Sequence, residues 1–215
     1  MPTLYYSRNP NPRLAVAVAR YLDAPIRLEW AAPFHPDQAA RFRALNPTRR
    51  IPILVEDDGA ALWEADAIAC RLTQLVGSDF WRQGRDQPDM IRWLSWGKGA
   101  FVQACDTVQF ELGTKRRYHR HLAPDQTLIA EGLARFHEAA AILDRQLDGR
   151  DWLCGATPCH ADFRMATFLP FNDIMRLPLA DYPALNAWHD RLTAIPAWAD
   201  PFDGLDAPDL PPIPA

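Results

Sequence analysis

Hydrophobic and polar positions in the first 76 residues switch between a strand period and a helix period several times. TLYYS (3–7) is a short β-rich run. Two Asn-Pro pairs follow it, and Asn11 before Pro12 has the order of a helix N-cap and first helical residue. Leu14, Val18 and Leu22, with Ala15 and Ala19, recur on one helical face, and Asp23-Ala24-Pro25 ends that helix. IRLEW (26–30) alternates like a strand, and a second helix is expected from Asp37 to Leu45. IPILV (51–55) is continuously apolar and predicts a buried strand. Glu56-Asp57-Asp58-Gly59 predicts a hairpin turn into the return strand AALW (60–63). A helix from Glu64 to Val76 follows, with Ile68, Leu72 and Val76 on one face. The order is βαβαββα, a small mixed sheet covered by helices.

Gly77 to Gln87 turns polar, and beyond it nothing reads as a strand. Helical runs are expected from Pro88 to about Leu112, from Pro124 to Leu147, from near Cys159 to about Phe171, and from Tyr182 to about Ile195. The predicted organisation is therefore a mixed α+β domain over 1–77, a linker over 78–87, an all-helical domain over 88–200, and a Pro-rich extended tail over 201–215. No repeat, GxGxxG or Walker sequence occurs.

Composition narrows the partners. The 215 residues are 48% hydrophobic and 23% charged, with a formal net charge of −4, as in a globular protein. The one basic cluster, KRRYHR (115–120), reads as a solvated helix end, so nucleic acid is not expected as a partner. No apolar run approaches the ~20 residues that span a bilayer, and no signal-peptide pattern opens the chain, so a cytoplasmic protein with no membrane partner is expected. The four cysteines read as reduced thiols. Cys154, Cys159, His160 and Asp162 fit no common zinc spacing, so no metal is expected. Cys159 and Asp162 instead have the spacing of a capping box, with a thiol in place of the usual hydroxyl.

Five stretches taken in order carry a resemblance to a known family: YYSRNPNPRLAVAVARYLDAP, LNPTRRIPILVEDDGAALWEADAIACRL (45–72), RWLSW (92–96), WLCGATPCHADFRM (152–165) and YPALNAWHDRLTAIPAW (182–198). Together they resemble the cytosolic-type glutathione transferases, in a bacterial-like subgroup. The resemblance implies a thioredoxin-like N-terminal domain, an all-α C-terminal domain, glutathione as co-substrate, a small and hydrophobic electrophile as second substrate, and a detoxifying homodimer. It also implies a cis bond before Pro52, which turns the Ile51 backbone toward the ligand, where it can pair with an extended peptide. Arg50 stands where the family often has a lysine near the glycyl carboxylate. Glu64-Ala65 stands where the family has Glu or Gln followed by Ser or Thr, a pair that holds the γ-glutamyl carboxylate at a helix start. Ala65 lacks that hydroxyl. Asn9 aligns with the Ser or Cys that touches the sulfur, Asn11 with an asparagine that some bacterial and fungal members carry there, and Tyr6 with the tyrosine of the tyrosine-type members. A turn and a cap are the plain structural readings of Asn9 and Asn11. Trp96 and Gln103, on the helix expected to line the second-substrate pocket, are the candidates there. The alternative to a transferase is a non-catalytic relative that binds a ligand or a protein.

Overall fold

The computed structural model describes residues 1–214 and divides the chain into two compact units, Met1–Trp81 with Pro196–Asp209, and Arg82–Ile195 with the remaining tail. The first unit contains β1 (Thr3–Tyr6), α1 (Pro10–Tyr21), β2 (Arg27–Trp30), α2 (Pro36–Leu45), β3 (Ile53–Val55), β4 (Ala61–Trp63) and α3 (Ala65–Val76). This is the expected βαβαββα order. The sheet order is β2-β1-β3-β4, with β1 parallel to β2 and antiparallel to β3, and β3 antiparallel to β4. Leu4, Leu14, Val18, Ile53, Leu54, Ile68 and Leu72 form its buried interior. Gly59, at φ 87°, takes the left-handed position of the β3–β4 turn.

The helix α1 differs from the amphipathic reading. Every residue from Pro12 to Ala19 is buried, because α1 packs on the sheet side, against α3, and under a segment from the far end of the chain. Its start also moves. The N-cap is Asn9 and Pro10 is the first helical residue, so Asn11 lies inside the first turn rather than at the cap. Both Asn-Pro pairs satisfy the N-cap rule locally, and the earlier one is used.

The second unit is helical: α4 (Gln87–Gly99), α5 (Phe101–Gln109), α6 (Lys115–Tyr118), α7 (Gln126–Leu147), α8 (His160–Met165), α9 (Asn172–Met175) and α10 (Pro183–Thr193). The single helix expected over 88–112 is broken at Ala100, whose φ of −118° and ψ of −95° are not helical. Gly97 and Gly99 sit just before the break and weaken the helix there. A Cβ on Gly132 of α7 would lie 2.8 Å from Val108 of α5, so a glycine is what lets these two helices approach. The run expected from Cys159 to Phe171 ends at Met165, before a turn and a short 3₁₀ segment holding Pro170. Asp162 is fully buried and accepts from the amides of Leu153 and Cys159 and from Trp188 Nε1, each at 2.9 Å. Burial raises its pKa, and these hydrogen bonds oppose the rise. No helix of the described residues is long and apolar enough to cross a membrane.

The segment Pro196–Asp209, which begins with the short helix α11 (Pro196–Ala199), returns to the first unit. Nothing in its local sequence marks it as part of that unit. It is held by side chains of β1 and α1, described next.

Candidate thiol-binding site

The sheet registers bring three separate stretches to one end of the first unit. Tyr5 pairs with Ile53, and Ile53 with Trp63. The paired strands end there, and the segments leading on from them at this end of the sheet carry Ser7, Ile51 and Ala65, each two residues beyond the last pair. Three adjacent strands at about 4.8 Å spacing span about 10 Å. That is the length of an extended tripeptide at about 3.3–3.6 Å per residue.

At the first of these positions, Tyr6 stacks on Phe202 with ring centroids 5.8 Å apart, and its hydroxyl donates to the Asp206 carbonyl at 3.2 Å. Arg8 Nε donates to the Ala207 carbonyl at 2.8 Å, and its guanidinium lies 4.8 Å from the centre of the Phe202 ring. Arg13 donates to the carbonyl of Trp198 and Arg20 to that of Asp203 at 2.6 Å. Burial lowers the Arg13 pKa to about 10, against the pull of Asp200. Tyr6 is 2% exposed and its phenol pKa is raised, first by burial and then by Asp206. This hydroxyl is engaged with the C-terminal strap, which argues against Tyr6 as the partner of a ligand's sulfur.

Ser7 and Asn9 alternate with Tyr6 and Arg8. Asn9 Nδ2 donates to Ser7 Oγ at 3.1 Å, and the Asn9 amide approaches the same oxygen at 3.4 Å. Although Asn9 is the N-cap, its side chain makes no capping bond to α1. Prolines at the first and third helical positions remove two of the peptide donors that a helix start normally offers, leaving the Asn11 amide among the first three. Side-chain amides therefore matter more here than at an ordinary helix terminus. Sequence reasoning passed over Ser7; its spacing of two from Asn9 was the available signal.

At the second position, the Ile51–Pro52 bond is cis. Asn46, 2% exposed and unremarked in the sequence, organises the loop before it. Its Oδ1 accepts from the amide and hydroxyl of Thr48, both at 3.0 Å, and its Nδ2 donates to the Arg50 carbonyl at 2.8 Å. Arg50 is exposed, and Arg49 adopts φ 57° with its guanidinium 5.5 Å from the Phe34 ring centre.

At the third position, Glu64 caps α3 with φ 76° and ψ 124°, a backbone conformation unfavourable for any residue but glycine. Such strain concentrates at functional sites. Ala65 follows, 2% exposed, at the first position of a 12-residue helix. Trp96 and Gln103 belong to the second unit: Trp96 is half-buried and edge-on to Trp93 with centroids 5.5 Å apart, and Gln103 is exposed. Among the described residues no cluster of three His, Cys, Asp or Glu side chains could hold a metal ion.

Comparison with known proteins agrees with this architecture. The model for the glutathione S-transferase N-terminal domain matches residues 10–75, and that for the C-terminal domain matches residues 126–191. The chain is 26% identical over 212 residues to the disulfide-bond oxidoreductase YfcG of Escherichia coli, covering 92% of each. It is 29% identical over 196 residues to the glutathione S-transferase-like protein LUC7 of a Fusarium species, covering 86% of each. A solved glutathione S-transferase from Rhodospirillum rubrum superposes with a TM-score of 0.81 at 23% identity, over 99% of this chain and 96% of that one.

Proposed function

The chain belongs to the glutathione S-transferase family, and on that footing we propose that it binds glutathione across the segments carrying Ser7, Ile51 and Ala65 and transfers its thiolate to a small hydrophobic electrophile. The Tyr5–Ile53–Trp63 register, which sets the ends of three strands side by side across about the length of a tripeptide, is the observation that carries this reading. The γ-glutamyl carboxylate is assigned to the Ala65 amide and the start of α3, beside Glu64, where a helix terminus favours an anion. The cysteinyl backbone pairs with Ile51 ahead of Pro52 as a short added strand. Arg50 takes the glycyl carboxylate. The sulfur falls to Asn9 and Asn11.

Amide donors suffice energetically. A free thiol near pKa ~8.5 is only about 3% ionised at pH 7. Lowering that pKa by about 2 units takes about 2.7 kcal/mol. One hydrogen bond to a charged acceptor contributes about 1.5–3 kcal/mol, and a helix start about 0.3–1 kcal/mol. The bound thiol loses its proton to solvent. The thiolate sulfur then bonds to the electrophilic carbon, and the leaving group departs with the bonding pair. Holding the two reactants together supplies the rest of the acceleration.

Retention on immobilised glutathione, followed by turnover of a chloro-nitroaromatic, tests the reading. Binding with turnover, both reduced in Asn9→Ala, is expected. Binding with reduction of a disulfide and no conjugation points to oxidoreductase chemistry of the kind named for the Escherichia coli relative. Neither binding nor turnover would leave a non-catalytic binding module.

A further inference from the structure

An asparagine at a helix N-cap ordinarily turns its side chain back onto the first-turn amides. Asn9 does not. Its carboxamide is drawn the other way, onto Ser7 Oγ at 3.1 Å. The Asn9 backbone amide, 3.4 Å from the same oxygen, takes up the hydroxyl's remaining acceptor capacity. The Ser7 proton therefore points away from Asn9, and the second Nδ2–H of Asn9 is not used by Ser7.

The strap engages the neighbouring side chains. Tyr6 and Arg8 are bound to the Asp206 and Ala207 carbonyls and to the Phe202 ring. Ser7 and Asn9 make none of these strap bonds and are bonded to each other instead. Ser7 is 9% exposed, so little water competes for its hydroxyl.

We propose that Ser7 is the positioning residue of the sulfur end of the site: it holds the Asn9 carboxamide off the helix cap and aims its free N–H at the thiolate of glutathione. This rests on the glutathione-binding reading above and adds the residue that makes an asparagine serviceable there. Without Ser7, the Asn9 side chain is released to cap α1, so the helix gains what the sulfur loses.

The test is the acidity of protein-bound glutathione, followed by the ultraviolet absorbance of its thiolate across pH, beside the pH profile of kcat/KM. Ser7→Ala is expected to raise the bound thiol pKa by about one unit, which lowers the thiolate fraction below that pKa about tenfold. At about pH 6, below the bound pKa, the KM for glutathione should change less than about twofold, and it should rise more above that pH as the lost thiolate stabilisation is felt in binding. The thermal midpoint should stay the same or rise. Ser7→Thr, which keeps the hydroxyl, should restore most of the lost acidity. The double variant Ser7→Ala/Asn9→Ala should be no worse than Asn9→Ala, since the two residues act as one unit. Wild-type thiolate formation that Ser7→Ala leaves unaltered, or additive losses in the double variant, would overturn the proposal while sparing glutathione binding. A wild-type protein that binds glutathione without acidifying it, or does not bind it, would overturn both.

Discussion

The Tyr6 hydroxyl donates to the carbonyl oxygen of Asp206, at a sequence separation of 200 residues. A side chain on the first strand is thereby tied to the end of the chain. Tyr6→Phe removes one hydrogen bond to a neutral acceptor and keeps the stacking on Phe202. Denaturant unfolding should show a loss of about 0.5–1.5 kcal/mol. Conjugation should be unchanged within about twofold, whereas a tyrosine at the sulfur would cost about 10²-fold or more.

In the glutathione-binding mode proposed above, Ala65 meets the γ-glutamyl carboxylate with a backbone amide and no hydroxyl. Restoring one with Ala65→Ser adds a donor to a charged carboxylate, worth about 1.5 kcal/mol at the lower end. Titration calorimetry should find glutathione bound about tenfold more tightly.

Asp162 is the buried hub of the second unit, accepting from Leu153, Cys159 and Trp188. Asp162→Ala strands three donors in a buried interior, at about 1–3 kcal/mol each. A loss of at least about 3 kcal/mol is expected from chemical denaturation. Trp188→Phe frees only one of the carboxylate's bonds, so its loss should be smaller than that of Asp162→Ala, although it also alters a fully buried ring.

Burial lowers the pKa of His189, and Asp190 opposes the shift only in part. The unfolded imidazole takes its proton near pH ~6.5, while the folded one stays neutral to lower pH. Below that value the unfolded state binds more protons, so this group's contribution to stability is full above about pH 7 and falls as the pH drops toward the lowered folded value. Urea unfolding of wild type and His189→Gln between about pH 7.5 and 5.5 should show a shallower decline for the variant.

The first unit was legible wherever chemistry was local. The β-rich TLYYS run, the alternation in IRLEW, the apolar IPILV run and the Asp58-Gly59 turn mark strands and a hairpin without reference to the rest of the chain. The βαβαββα order follows from those marks, while the family resemblance rests on the five longer stretches taken in order, and both agree with the domain models matched and the strands observed. Long-range choices were not legible. Asn9-Pro10 and Asn11-Pro12 are equally good helix starts on paper, and which one is used fixes whether the Asn9 side chain stands outside the helix. The strap leaves no local trace, since Arg8, Arg13 and Arg20 meet backbone carbonyls that any residue would supply. Ser7 was missed because a serine at the end of a strand reads as a turn residue until its hydroxyl is seen against Asn9.

The most direct measurement is the ionisation of glutathione's sulfur on the protein. A pH titration of the bound tripeptide's thiolate absorbance should give a pKa about 2 units below that of the free thiol, with most of the difference lost in Asn9→Ala. A sulfur that titrates on the protein as it does in buffer would contradict the account.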